Sequence, residues 1–307
     1  MTDAPRKIFI DGEAGTTGLQ IREKLAGRAD VTIVSIDPDK RKDAGAKADI
    51  LRAVDLTILC LPDGAAKESV ALVDSLGAEG PRVLDASTAH RVAPGWTYGF
   101  PELAPGQAEE IAKARRVANP GCYATGAIAI LRPLVDAGLI DAGHVIAINA
   151  VSGYSGGGKQ MIEDYEAGRA PAFELYALGL EHKHIPEIMA FGRLRARPVF
   201  VPSVGNFRQG MLVSLPLSLD DLPGHPHAGD LEAVLADHYA GKIHVRVVAA
   251  EENGKLEPEA LNGTNDLEIR VFANEARRQA AIVARLDNLG KGASGAAVQN
   301  LGLMLGL

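Results

Sequence analysis

Ile8-Phe9-Ile10-Asp11-Gly12-Glu13-Ala14-Gly15-Thr16-Thr17-Gly18 runs from a short apolar strand through a glycine-rich turn into the start of a helix. In that setting glycines let backbone N–H groups approach a pyrophosphate, and Thr16 and Thr17 add hydroxyl donors. The spacing is G-x-x-G-x-x-G rather than the commoner G-x-G-x-x-G. Glycines after a strand also serve as plain turn residues, so position carries the reading. The turn stands at the head of an alternating region: helix-forming residues over 17–25, an apolar strand over 31–36, another over 56–61, Val70, Val73 and Leu76 at helical spacing, and a strand over 82–84. This rhythm predicts βαβ units, a parallel sheet and a Rossmann-like dinucleotide-binding domain of α/β class.

Beyond Cys122 the texture changes. Strand signals over 144–151, 198–201, 211–219, 243–248, 267–273 and 280–286 are mostly long, and one helix is expected over 230–239. They predict an α+β domain with a mixed, largely antiparallel sheet. An apolar helix over 293–305 is expected to pack back on the first domain. The division expected is therefore 1–121 with 287–307 for the dinucleotide and 122–286 for catalysis and dimerisation.

The chain has 307 residues, 47% apolar and 23% charged, with a net charge of −7 and acids and bases interspersed. That suits a soluble globular protein and argues against a nucleic-acid surface. No secretory leader and no membrane-length apolar run is read, so a cytoplasmic setting is expected. Two cysteines, Cys60 and Cys122, make no disulfide framework. Cys60 lies inside a strand-like apolar run.

Cys122 lies in Asn119-Pro120-Gly121-Cys122-Tyr123-Ala124-Thr125-Gly126, where a loop passes into an apolar helix. Orphan N–H groups and the positive end of the dipole gather at a helix N-terminus. A thiol there ionises more readily, and the same amides can hold an oxyanion on a carbonyl the sulfur attacks. A core cysteine after a turn is the alternative. Arg91, in the loop after the strand at 82–84, can hold a phosphate or carboxylate through its forked guanidinium. Glu181-His182-Lys183-His184-Ile185-Pro186-Glu187 places two histidines before a helix. No further ligands at metal spacing accompany them, so no metal site is expected, and general acid/base chemistry is the better reading, with Glu187 able to orient His184. Ser152 to Lys159, with four glycines, allows close backbone approach and anion contacts. Asp287 to Gly295 enters the last helix with amides that can face a cofactor. Asp37-Pro38-Asp39-Lys40-Arg41-Lys42 holds both acids, which favour a ribose 2′-OH, and bases, which favour a 2′-phosphate. The residues alone leave NAD and NADP both open.

Together these segments resemble the N-acetyl-gamma-glutamyl-phosphate reductase family in its shorter form. The resemblance rests on residues 10–20, Tyr98-Gly99-Phe100-Pro101-Glu102-Leu103, Asn119-Pro120-Gly121-Cys122-Tyr123, His182 to Glu187, and Asp287 to Leu305 with Ala297-Val298-Gln299-Asn300. It implies reduction of N-acetyl-L-glutamyl 5-phosphate to the 5-semialdehyde in arginine biosynthesis, with NADP as cofactor. It implies Cys122 as nucleophile and His184 as acid/base, with His182 a second candidate. Arg91 becomes a contact for the substrate phosphate, with Asn119, Ser152 and Lys159 as lesser candidates. Gly12, Gly15, Thr16, Thr17 and Gly18 would cradle the pyrophosphate, Asn288 and Gly292 complete that pocket, and Arg41 or Lys42 meet the 2′-phosphate. A homo-oligomer, dimer or tetramer, is expected. A reductase for a neighbouring acyl phosphate (aminoadipyl or aspartyl) and a catalytically silent cofactor-binding regulator remain as alternatives.

Overall fold

The computed structural model describes residues 4–41, 43–251 and 253–307. The chain forms two compact units: residues 1–101, 106–120 and 293–307 make the first, and residues 102–105 and 121–292 the second.

The first unit begins with β1 (Arg6–Asp11), α1 (Thr16–Leu25), β2 (Val31–Val34), α2 (Ala44–Ala53), β3 (Leu56–Leu59), α3 (Asp63–Ser75), β4 (Arg82–Asp85), β5 (Thr97–Tyr98), α4 (Gln107–Lys113) and β6 (Arg116–Ala118). Its six strands pair in the order β2-β1-β3-β4-β6-β5, all parallel. A parallel sheet needs crossovers that cover both faces, so its strands are apolar on both sides. Ile8, Ile10, Ile58, Leu84 and Val117 pack with Ile21 and Leu25 of α1 and Ile111 of α4 in one core. Phe9, Leu59 and Val83 pack with Leu51 of α2 and with Ala66, Val70 and Val73 of α3 in the other. The parallel sheet and the helices alternating with it agree with the sequence reading.

The second unit comprises α5 (Cys122–Asp136), β7 (Ala147–Gly153), α6 (Gly158–Glu166), β8 (Phe173–Leu175), α7 (Ile185–Phe191), β9 (Val199–Gly205), β10 (Met211–Ser218), α8 (Ala228–His238), β11 (Val245–Val247), β12 (Leu267–Asn274) and β13 (Gln279–Leu286). Its seven-stranded sheet runs β11-β12-β13-β10-β7-β9-β8, antiparallel except for β11 with β12 and β7 with β9. Strand alternation gives the sheet two different faces. One carries Ile269, Ile282, Leu215 and Val213, all fully buried, and α5 and α8 pack against the strands. The other presents Ser214, Val283, Phe272, Val151 and Val201 and opens as a groove of about 1000 Å³. Among the described residues no helix is long and apolar enough to cross a membrane.

Between β13 and the last helix the chain makes a π-helical turn over Gly290–Ser294, then returns to the first unit as α9 (Gly295–Leu305). Ala297, Leu301 and Met304 of α9 join the core beside α1 and α4. Within the second unit the π turn is pinned by Lys291, whose Nζ donates to both carboxylate oxygens of Glu102, at 2.9 and 2.8 Å. Both residues are almost wholly buried. Burial pulls the lysine ammonium below its ordinary value, while the Glu102 charge opposes that pull. Replacing one member of a buried pair leaves the opposite charge uncompensated. Lys291→Met is expected to cost about 3–5 kcal/mol in urea denaturation, with part of the loss recovered in the double variant Lys291→Met/Glu102→Gln.

Candidate functional site

In the first unit the β1–α1 turn is built around Gly12, at φ +90°. A Cβ there would lie 2.3 Å from the Cys60 carbonyl oxygen, so no other residue fits without displacing the backbone. The Gly15 amide donates to the Gly12 carbonyl at 3.0 Å, and Gly15 then caps α1 without a side-chain bond. Thr16 and Thr17 open the helix, and Gly18 is buried on its inner side. The first-turn amides of α1 thus meet no capping side chain, as anion binding needs. Beside the turn lies a cavity of about 620 Å³ lined by Gly12, Ile36, Arg41, Asp43, Lys47 and Ser69 among others.

Four acids near this cavity are engaged. Glu13 accepts from Arg22 and Ser35 at 2.6 and 2.9 Å, Asp37 accepts the Asp39 amide, and Asp43 caps α2. Asp11 accepts from Lys47 and Ser69 at 2.8 and 2.9 Å. Sequence reasoning missed Lys47, whose helix it did not foresee. Lys42 lies outside the described residues.

Arg91 is nearly buried, and its Nε donates to the Asn119 carbonyl at 3.2 Å. The Asn119 side chain is spent within the first unit: its Nδ2 donates to the Ala293 carbonyl, and its Oδ1 accepts from Asn300. Beneath the same loop, buried Asp85 holds His90 at 2.6 Å, and His90 stacks on Trp96. These contacts hold His90 within the first unit.

In the second unit Cys122 is the first residue of α5. Gly121 is the N-cap, extended at φ −80° and ψ 148°, and no side chain caps the helix. The helix is buried from Tyr123 to Leu131, which fixes its head in place, while Cys122 keeps partial exposure. The π turn closes over it: a Cβ on Gly292 would lie 2.7 Å from the Cys122 Cβ. Gly292 is glycine because the cysteine occupies that space.

His184 is the N-cap of α7 and is buried with Glu187. One oxygen of Glu187 accepts the Gly121 amide at 3.1 Å, and the other lies 4.0 Å from His184 Nε2. One carboxylate therefore links the loop before the cysteine to the histidine. Around them stand Tyr123, Tyr176, His182 and Phe200, with ring centroids 5.0–5.8 Å from His182. Tyr123 donates its hydroxyl to the Ser203 carbonyl at 2.9 Å. Burial foremost, with a smaller contribution from the Cys122 sulfur, pushes Tyr123 well above its ordinary range and Tyr176 up to about 12. Both phenols are neutral at physiological pH and belong to the cysteine's surroundings. The sequence reading gave a role to neither; Tyr123, quoted only as part of the cysteine motif, was the one signal.

Other expected residues fall elsewhere. Ser152 is buried and donates to the Gly153 carbonyl. Lys159 is solvent-exposed on α6 and pairs with Glu163 one turn on. Asn288 is a buried fastener, accepting the Gly210 amide at 2.8 Å and donating to Ser155 at 3.0 Å. Cys60 keeps some contact with solvent, yet the packing around its sulfur, with Asp85 and Asp11 adding to it, pushes its thiol up to about 12.

Family models for the semialdehyde dehydrogenase NAD binding domain and the semialdehyde dehydrogenase dimerisation domain match residues 22–114 and 122–288. The chain is 55% identical to the N-acetyl-gamma-glutamyl-phosphate reductase of Brucella ovis over 308 positions, covering 98% of this chain and 99% of that one. In fold it is similar to aspartate semialdehyde dehydrogenase II of Vibrio cholerae, solved as a complex with ASA, at a TM-score of 0.72 and 16% identity over 98% of each chain. The aspartate semialdehyde dehydrogenase of Francisella tularensis gives a TM-score of 0.74 at 13% identity, over 98% of this chain and 100% of that one. With a relative of that identity along nearly the whole chain and both domain models matched in order, the chain belongs to the N-acetyl-gamma-glutamyl-phosphate reductase family of semialdehyde dehydrogenases.

Proposed function

We propose that this protein reduces N-acetyl-L-glutamyl 5-phosphate to N-acetyl-L-glutamate 5-semialdehyde, with release of inorganic phosphate, through a thioester on Cys122. The observation that carries this reading is a partly exposed cysteine on the first turn of an uncapped helix, linked through Glu187 to a buried histidine.

The Cys122 thiolate attacks the acyl carbon of the mixed anhydride. A C–S bond forms, the C–O bond to phosphorus breaks, and phosphate departs. One difficult displacement is thereby split into two easier steps. The first-turn amides of α5 hold the oxyanion that develops on the carbonyl oxygen. A reduced nicotinamide dinucleotide, held by the Gly12–Gly18 turn and the first-turn amides of α1, would supply the hydride that brings the thioester carbon to the aldehyde level, after which the C–S bond breaks to regenerate the thiolate. One proton is consumed per turnover. His184 delivers it to the departing phosphate, and Glu187 steadies the imidazolium. Arg91 is the proposed contact for the substrate phosphate, with Asn119 holding its loop rather than touching the ligand. Gly292 serves the shape of the cysteine's surroundings, and Asn288 fastens the neighbouring loops through Gly210 and Ser155.

The first unit fits a dinucleotide. The glycine turn admits a close backbone approach, and the cavity beside it suits an adenosine moiety. Glu13 and Asp37 are engaged, so neither is disposed to read a ribose 2′-OH, while Arg41 lines the cavity. This favours NADP. Self-association is proposed through the groove on the open sheet face, whose unit matches the dimerisation-domain model.

Four outcomes test the reading. Cys122→Ser is expected to lower kcat/KM by on the order of 10³-fold or more with NADPH binding intact, and near-normal turnover in that variant would end the assignment. In the unsubstituted protein, iodoacetamide should label Cys122 at least about tenfold faster than Cys60 at neutral pH. For Arg41→Ala, KM for NADPH should rise roughly 10–100-fold, the worth of one or two lost charge-assisted bonds, with KM for NADH unchanged. Equal effects on both cofactors would remove Arg41 from the 2′-phosphate site. Ser214→Arg, at the centre of the sheet groove, should yield a smaller species in light scattering; an unchanged mass would place the interface elsewhere.

A further inference from the structure

We infer that His182 does not exchange protons with the substrate: it is a positioning residue, a neutral imidazole held with its proton on Nε2, that fixes the backbone from which His184 projects. The inference rests on the proposed acid/base role of His184 and decides between the two histidines.

The backbone N–H of His184 points at His182 Nδ1, 3.1 Å away. An amide N–H can only donate, so that ring nitrogen must be the acceptor and carries no proton. The remaining ring proton therefore sits on Nε2, which lies 3.4 Å from the Tyr176 hydroxyl oxygen. A neutral phenol can accept there. Both ring nitrogens thus have assigned duties, and neither is a vacant base. Protonating Nδ1 would set two N–H groups face to face and cancel the bond to His184.

That bond has a structural reason. His184 is the N-cap of α7 and its own N–H lies outside the helical ladder, so the group needs an acceptor. The His182 carbonyl is already taken by the Ile185 amide at 3.0 Å, and the His184 carbonyl by the Ile188 amide at 3.0 Å. The side chain of His182 closes the remaining link, to the residue two positions on. Asparagine and aspartate make the same link in an Asx-turn. The ring is held by an aromatic wall: Phe200 at 89°, Tyr123 at 86°, His184 at 80° and Tyr176 at 60° between ring planes.

The Asx analogy supplies the test. Asparagine at 182 offers an amide oxygen near the Nδ1 position and cannot shuttle a proton. Glutamine sets its amide one bond further out, and alanine offers no acceptor. Steady-state rates are measured for His182→Asn, His182→Gln and His182→Ala as phosphate-dependent reduction of NADP by N-acetylglutamate semialdehyde. His182→Asn should hold kcat within about fivefold of the parent. His182→Ala and His182→Gln should lose roughly 10–100-fold in kcat with KM little changed, the scale of a catalytic group displaced by about an ångström. Equal, deep inactivation of the asparagine and alanine variants, in the 10²–10⁴-fold range of a lost acid/base, would overturn the inference. Nitrogen-15 NMR of the unsubstituted protein gives a second reading that does not depend on any variant folding. An unprotonated Nδ1 and a protonated Nε2 on His182 are expected at neutral pH, and a protonated Nδ1 contradicts them. His184→Ala and Cys122→Ser run in parallel separate the two levels. Full activity in those controls sinks the proposed mechanism, whereas asparagine failing at 182 while they behave as expected sinks only the role given to His182.

Discussion

The head of α5 is the point on which the site depends. Cys122 sits on the first turn of a helix whose next residues are buried, so the sulfur cannot drift. Three contacts converge on that head. Glu187 takes the Gly121 amide, the π turn brings Gly292 against the cysteine Cβ, and Tyr123 anchors the next residue to β9 through the Ser203 carbonyl. Each comes from a distant part of the sequence. Together they hold the cysteine on the first turn of a helix whose amides carry no side-chain cap, the setting in which a thiolate nucleophile finds its own oxyanion donors.

The two units divide the chemistry. The first supplies a glycine turn, an uncapped helix start and a cavity with Arg41 in its lining, all suited to a nicotinamide dinucleotide. The second holds the sulfur, the histidine pair, the linking carboxylate and the aromatic wall. It also holds a buried Lys291–Glu102 pair, which secures the turn that packs against Cys122. Charge is thus spent on position at the site.

How much of this was legible in the sequence follows from how each feature is encoded. Both sheets were readable because their longer strands are apolar runs bounded by turn residues. The helices that escaped notice share one property. α2 buries only Leu51, α4 only Ile111 and α6 only Tyr165, so none carries a stripe of apolar residues to give a period. β5, β6 and β8 span two or three residues, too short for alternation to show. At the site, Cys122 and His184 stood out because local context (a loop before a helix, a proline and a glutamate following) already implies their chemistry. The amides of Asn119 and Asn288 could not be placed that way. They bond to residues 181 and 133 positions distant, and a polar side chain beside a motif looks the same whether it meets ligand or protein. The same holds for Lys291, whose partner lies 189 positions away.

The central claim is that the acyl group passes through the sulfur of Cys122. Mixing the protein with N-acetylglutamyl phosphate in the absence of nicotinamide, quenching in acid and taking intact and peptide-resolved mass spectra tests it directly. The account predicts one N-acetylglutamyl adduct per chain, on the peptide bearing Cys122, released by neutral hydroxylamine. A protein that turns over normally yet shows no adduct there, or carries it on another residue, would contradict it.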